Sequence, residues 1–315
     1  MRFATWNLRY DAQPDKITVQ QSLDSLPDPL LEPKYLRTDG EQPWSLRRLR
    51  VAEQLISEGV VIAGFQEALV RQVHDLAELL GEDWGWVGVG RDDGAQAGEY
   101  NPIFYKRTEF VLRSYDTFWT SNTPFTPSRF PGAGSFRICT TVRLQRRGTG
   151  QEFVVLNTHL DDRSDAQRCL AASMVLARAR YEAVTGTTAF PVFVLGDFNS
   201  PPTGSDAGAY EITIGAQPPV ALPEDFAAKF AVPAGSPPFV LHDLRAHTPR
   251  RAVSGNYATW IGFTAPNDTH LWTRIDFVFG GGNGWESTGY KVGSALTDDG
   301  VLASDHQPVF ADVRI

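Results

Sequence analysis

Pro191-Val192-Phe193-Val194-Leu195-Gly196-Asp197-Phe198-Asn199-Ser200 is the most telling stretch of this chain. Its apolar run, bounded by Pro and Gly, reads as a strand buried on both faces. The run stops where a carboxylate, Asp197, and an amide, Asn199, begin. The same layout recurs on either side. Phe153-Val154-Val155-Leu156 ends in Asn157-Thr158-His159, and Val60 to Phe65 ends in Gln66-Glu67. Phe3 to Leu8 carries Asn7, Arg274 to Phe279 carries Asp276, and Ser304-Asp305-His306 precedes a last strand over 307–313.

Between these strands the apolar period becomes helical. Leu46, Leu49, Ala52, Leu55 and Ile56 predict a helix over 44–58, closed by Gly59. Val70 to Leu80 predicts a second, closed by Gly81, and 166–183 a third. Further strands are expected at 84–89, 102–106, 109–119 and 136–145. Residues 11–43 read as a long loop. So does 216–238, which holds six prolines. Gly280 to Gly284 reads as a flexible turn. Buried strands alternating with helices predict two sheets packed face to face with helices outside. The two halves alternate alike, without a sequence match that establishes a duplication.

The chain has 315 residues, 42% hydrophobic and 21% charged, which supports a sizeable core. We expect a single domain over 1–315. Its net charge of −8 lacks the bulk positive field of a non-specific nucleic-acid binder. No basic stripe interleaved with aromatics is present, so a small or single-stranded substrate is favoured over duplex DNA. No run of 18 apolar residues predicts a membrane span. Two cysteines, Cys139 and Cys169, make neither a disulfide framework nor a zinc cluster, and read as buried small residues. A cytoplasmic location is expected, with secretion open if a leader has been removed. Nothing in the sequence calls for an obligate protein partner.

The polar residues at the strand ends carry the chemistry. Carboxylate and amide oxygens suit Mg2+ or Mn2+ rather than zinc. An imidazole backed by a carboxylate has a fixed tautomer and a favoured charged form. A further Asp can orient or deprotonate water, and Asn can donate to a developing oxyanion. Together these groups predict metal-assisted phosphoester hydrolysis. Arg91, in Gly-Arg-Asp-Asp-Gly, could clamp a second phosphate or pair with Asp92 or Asp93. Arg47, Arg48 and Arg50 read as a solvated helix face. His74 reads as a surface residue, and His270 and Trp272 as neighbours of the pocket or bystanders.

Six stretches, TWNLRYD (5–11), GFQEA (64–68), NTHLDD (157–162), GDFNS (196–200), RIDFVF (274–279) and SDHQPV (304–309), together resemble the endonuclease/exonuclease/phosphatase, or deoxyribonuclease-like, superfamily. They occur in that family's order. GVGRDDG (88–94) and GEYNPIFYK (98–106) resemble a bacterial and fungal branch related to nocturnin and the carbon catabolite repressor deadenylases. The resemblance implies a four-layer α/β/β/α sandwich with two mixed β-sheets. It implies Glu67, Asn7 and Asp305 on the metal side. Asp197 would position or deprotonate the attacking water, with Asn199 beside it. His306 would contact the scissile phosphate, oriented by Asp276, and His159 would bind phosphate. Asn157 and Arg91 are expected to contact substrate. The implied activity is a Mg2+- or Mn2+-dependent phosphodiesterase or nuclease, 3′-5′ exonuclease-like, using in-line attack by water. Phosphomonoesterase action on a small metabolite, sugar or inositol is the alternative, and a non-catalytic phosphate-ligand binder the third reading.

Overall fold

A computed structural model describes residues 1–27, 31–32, 40–184, 190–264 and 268–315. In chain order the elements are β1 (Arg2–Asn7), α1 (Val19–Asp24), α2 (Trp44–Ser57), β2 (Ile62–Gln66), α3 (Val70–Leu80), β3 (Trp84–Val87), β4 (Ile103–Lys106), β5 (Phe110–Trp119) and β6 (Ile138–Arg146). Then come β7 (Glu152–His159), α4 (Asp165–Val184), β8 (Val192–Asp197), α5 (Gly208–Thr213), α6 (Glu224–Lys229), β9 (His242–Asp243), α7 (Leu244–His247), β10 (Asp276–Gly281), β11 (Glu286–Val292) and β12 (Val309–Arg314).

The strands form two six-stranded sheets, ordered β11-β12-β1-β2-β4-β3 and β5-β6-β7-β8-β10-β9. Each holds one parallel pair, β1–β2 and β7–β8, among antiparallel neighbours. Parallel neighbours need a crossover, and α1–α2 and α4 supply the two. Phe3, Ile62, Phe193, Leu195 and Val309 fill the space between the sheets. Trp44, Val51 and Leu55 of α2 cover the outer face of the first sheet, against Trp6 and Phe65. Leu170, Met174 and Val175 of α4 cover the second, against Val194 and Phe277. This is the expected α/β/β/α sandwich with mixed sheets. No helix of the described residues is long and apolar enough to cross a membrane.

Several local expectations change. The loop at 11–43 contains α1, begun by a Thr18–Gln21 capping box. At six residues α1 is too short to show a helical period; residues 28–30 and 33–39 of that stretch lie outside the described ones. The proline-rich loop contains α6, whose Phe226 is buried against Phe118 and Phe230. Gly280 and Gly281 belong to β10, because Trp285 lies over one and Phe239 and Leu241 over the other. Only from Gly282, at φ 71°, does the chain turn. Strand β11 is polar at alternate positions and escaped the apolar-run criterion.

The arginines of α2 depart most from expectation. Arg47 and Arg48 are fully buried rather than solvated. Arg47 donates to the carbonyls of Leu8, Arg9, Tyr10, Gln42 and Ala303. Arg48 pairs with Asp75 and donates to Thr18 and Ser22. Both satisfy the backbone of a segment that has no sheet partner of its own. Cys139 is buried, whereas Cys169 is half-buried.

Candidate active site

Strand register assembles the site. His159 is the partner of Asp197 across β7–β8, and Asp197 the partner of Asp276 across β8–β10. Asn7 ends β1 beside Gln66 of β2, so Glu67 follows at the same edge. Arg9, Glu67 and Asn199 are the described non-glycine residues with left-handed backbone, at φ 55°, 59° and 47°. Each costs roughly 1 kcal/mol or more, and all three lie at these strand ends. Strain collected at one edge marks it as built for function rather than for stability.

Asn7 joins the two sheets. Its Nδ2 donates to Glu67 Oε1 at 2.9 Å and to Asp197 Oδ2 at 2.9 Å. Its Oδ1 accepts from Arg9 N at 2.9 Å. The amide is thus a bridge between carboxylates. Glu67 Oε2 accepts from Tyr10 N at 3.2 Å, and Arg9 stands 3.9 Å away.

His306 Nδ1 lies 2.9 Å from Asp276 Oδ2, and its Nε2 lies 3.7 Å from Asp197 Oδ2. Burial alone would lower the pKa of this imidazole, but Asp276 and then Asp197 lift it to about 10. The histidine is therefore a cation at neutral pH. Its main chain is held by Trp6 Nε1, which donates to the His306 carbonyl, and by Ser304 Oγ, which accepts from His306 N and donates to Asn7 O. Asp197 is pushed up to about 7 by burial and by the charge of Asp276, against the pull of His306.

Asn199 Nδ2 reaches His159 Nε2 at 3.1 Å and donates to Leu160 O. Burial, then Arg137 and Arg91, hold His159 well below the ordinary imidazole range, so it is neutral. Two histidines of one site thus carry opposite protonation states, set by their neighbours. Asp305 lines the same cleft, its carbonyl accepting from Ile261 N and Gly262 N.

The cleft has a volume of about 740 Å³ and exposes Glu67, Asp197, Asn199, His159, Asp305 and His306 together. Arg91 is also on its wall, but its guanidinium is forked onto Glu99 at 2.6 and 2.8 Å. Asn157 is elsewhere. It is fully buried between the sheets, donating to Phe65 O and Pro102 O and accepting from Gln66. The expected substrate contact at Asn157 gives way to a brace between β7 and β2. Trp272 packs into the core of the first sheet and His270 pairs with Asp268 at the surface; neither lines the cleft, whereas Trp260 and Thr273 do. The structure adds Arg9, Glu99 and Arg137. Arg9 stands two residues after Asn7 in the TWNLRYD stretch and Glu99 lies in GEYNPIFYK. Arg137 had no motif to betray it.

Among the described residues one compact cluster of possible metal ligands, Asp197, Asp276 and His306, has its donor atoms within 4.8 Å of one another. Its chemistry argues against a cation there, because the His306 cation already lies between the carboxylates. Glu67 and Asp305 fit a hard cation better. Both line the cleft and carry hard carboxylate oxygens.

A family model described as the endonuclease/exonuclease/phosphatase family matches residues 4–306. No curated protein matches the chain. Among solved structures, an endonuclease/exonuclease/phosphatase from Bacteroides vulgatus is 27% identical at a TM-score of 0.74, over 100% of this chain and 98% of that one. A mannosyl-6-phosphatase from Bacteroides thetaiotaomicron is 24% identical at a TM-score of 0.74, over 100% of both chains. The human Nocturnin catalytic domain with bound sulfate is 15% identical at a TM-score of 0.62, over 100% of this chain and 94% of that one. The last two likenesses concern the fold. A match spanning nearly the whole chain, on a fold that gathers these carboxylates, amides and histidines at one edge, places this chain in the endonuclease/exonuclease/phosphatase family, as a phosphoester hydrolase.

Proposed function

We propose that the chain is a divalent-metal-dependent hydrolase of small phosphate esters, in which water attacks phosphorus in line. The observation that carries this is the single amide nitrogen of Asn7, which links Glu67 to Asp197. It ties a metal-side carboxylate to a water-side carboxylate, so that the two halves of the reaction are held at one spacing.

Glu67 and Asp305 would hold Mg2+ or Mn2+, which supplies charge neutralisation at the phosphate oxygens when bound. Asp197, raised to about 7, orients the water and takes its proton near neutral pH, where a base of that strength is most effective. The His306 cation, fixed by Asp276, neutralises charge gathering on the phosphoryl oxygens. Asn199 Nδ2 would exchange its contact with His159 Nε2 for one to the same oxygens, and neutral His159, in its Nε2–H tautomer, would then donate to them as well. The leaving oxygen takes a proton from solvent or from protonated Asp197. No covalent intermediate is needed.

The family resemblance puts a diester first; the cleft favours a smaller substrate. Its volume is that of a small-molecule pocket, and four of its five arginines, Arg9, Arg91, Arg137 and Arg168, are matched by carboxylates rather than free to track a polyanion. A mannosyl-6-phosphatase among the similar folds is consistent with that ordering. The test is a panel with Mg2+ or Mn2+, with and without chelator. It spans p-nitrophenyl phosphate, bis-(p-nitrophenyl) phosphate, sugar and inositol phosphates, dinucleotides, and single-stranded and duplex nucleic acid. Chelator-sensitive turnover of monoesters above diesters supports the proposal. Turnover confined to nucleic acid removes the small-ester part, and ligand binding without any turnover removes catalysis.

A further inference from the structure

We infer that the arginine–carboxylate pairs Arg91–Glu99 and Arg137–Asp162 form a hydroxyl-recognition subsite, so that the preferred ester is a phosphorylated sugar or related polyol. The inference rests on the hydrolase reading above and names its leaving group.

Away from the reacting groups, three arginines on this cleft, Arg91, Arg137 and Arg168, already hold carboxylates, while Arg163 is exposed at the rim, 3.6 Å from Asp162. Arg91 forks onto Glu99 at 2.6 and 2.8 Å. Arg137 Nη2 lies 2.8 Å from Asp162, and its Nε 3.2 Å from Asp161. Arg168 holds Asp206 at 2.5 Å. Across the whole lining, five arginines face six carboxylates, and the His306 cation balances the excess. A wall of that composition is polar but nearly neutral.

A second phosphate would have to displace Glu99 from Arg91 while approaching Glu67. Separating a short, forked ion pair to admit a dianion beside a further carboxylate is costly. A hydroxyl faces no such barrier. It donates to the carboxylate and accepts from the guanidinium of one pair, leaving that pair intact. Neighbouring hydroxyls of a sugar ring can engage two pairs at once. Arg137 is 5% exposed and its Nη1 has no partner, so a further oxygen acceptor is wanted on this wall. Trp260 adds an aromatic surface for the C–H face of a ring.

The test compares kcat/KM for hexose 6-phosphates, an alkyl phosphate without hydroxyls, and a hexose bisphosphate, all with Mg2+. The alkyl ester has a leaving alcohol of similar reactivity, so the ratio reports recognition. A hexose phosphate should exceed the alkyl phosphate by roughly 30-fold or more, and E99Q should reduce that ratio about tenfold, the scale of one hydrogen bond to a charged group. D162N, at an exposed residue, checks the second pair if E99Q does not fold. Calorimetric binding of both esters to the D197N protein measures the same ratio without turnover. An alkyl phosphate equal to the hexose phosphate in both measurements overturns the subsite. So does a bisphosphate preference that grows in E99Q, which would mark a second-phosphate clamp. If wild type hydrolyses no phosphate ester, the hydrolase reading fails, while the binding ratio still decides the subsite.

Discussion

Asp197 and Asp276 are register partners across antiparallel strands β8 and β10, and both carboxylates converge on one imidazole, His306. Two buried carboxylates at facing positions would repel and protonate without a cation between them. The arrangement therefore keeps His306 charged at neutral pH and leaves Asp197 exchanging its proton near 7.

The first prediction concerns that pairing. Asp276→Asn removes the charge that does most to lift His306. Its pKa should fall from about 10 towards 6.5, and turnover near neutrality should drop about 100-fold or more. The alkaline limb of the pH–kcat profile should move to lower pH. An unshifted limb would show that Asp276 does not set the charge of His306.

Asp197→Asn keeps the shape of the side chain but cannot take a proton. Turnover should fall at least about 100-fold, with substrate affinity retained, and the acid limb near pH 7 should vanish. His306→Ala should cost a similar factor. Near-normal rates in both variants would remove the assigned mechanism.

Glu67→Gln tests the metal side. The Mg2+ concentration for half-maximal activity should rise about tenfold or more. Titration of activity against Mg2+ in wild type and variant measures it, and equal midpoints would move the metal away from Glu67.

Stability should fall as pH rises across two windows. His306 titrates at about 10 when folded and 6.5 in the ordinary state, so its contribution is full below 6.5 and lost towards 10. Asp197 titrates at about 7 when folded and 3.8 ordinarily, so the folded chain holds an extra proton between those values and stability declines there too. Melting temperatures with chelator should show both slopes. Asp197→Asn should flatten the lower window and His306→Gln the upper one.

Arg47→Met tests the buried guanidinium of α2. It leaves several main-chain carbonyls near Asn7 and Arg9 without donors, at a cost on the order of 3 kcal/mol. Urea denaturation should show a lowered midpoint. A midpoint within error of wild type would return Arg47 to the surface role its sequence neighbours imply.

The apolar runs and their polar ends were legible without coordinates, because burial on both faces demands uninterrupted hydrophobic strands. A carboxylate at the end of such a strand needs a reason: Asp197 and Glu67 line the cleft, and Asp276 holds His306. Arg47 and Arg48 were not legible. A helix face of arginines reads as solvated, and only the position of the segment before β2 shows that their charges serve buried carbonyls. Arg137 was missed as a site residue for the same reason, because its partner Asp162 lies 25 residues away and leaves no local spacing.

The sequence by itself determined the strand–helix alternation, the residue types at the strand ends and the class of chemistry they can perform. Those follow from local burial patterns and from the intrinsic donors and acids of side chains. Only the tertiary structure decided which histidine is charged, that Asn7 bridges two carboxylates, that Asn157 braces the interior, and that the cleft arginines are neutralised. Protonation and pairing depend on distances between residues far apart in the chain, and those distances exist only once the two sheets have packed.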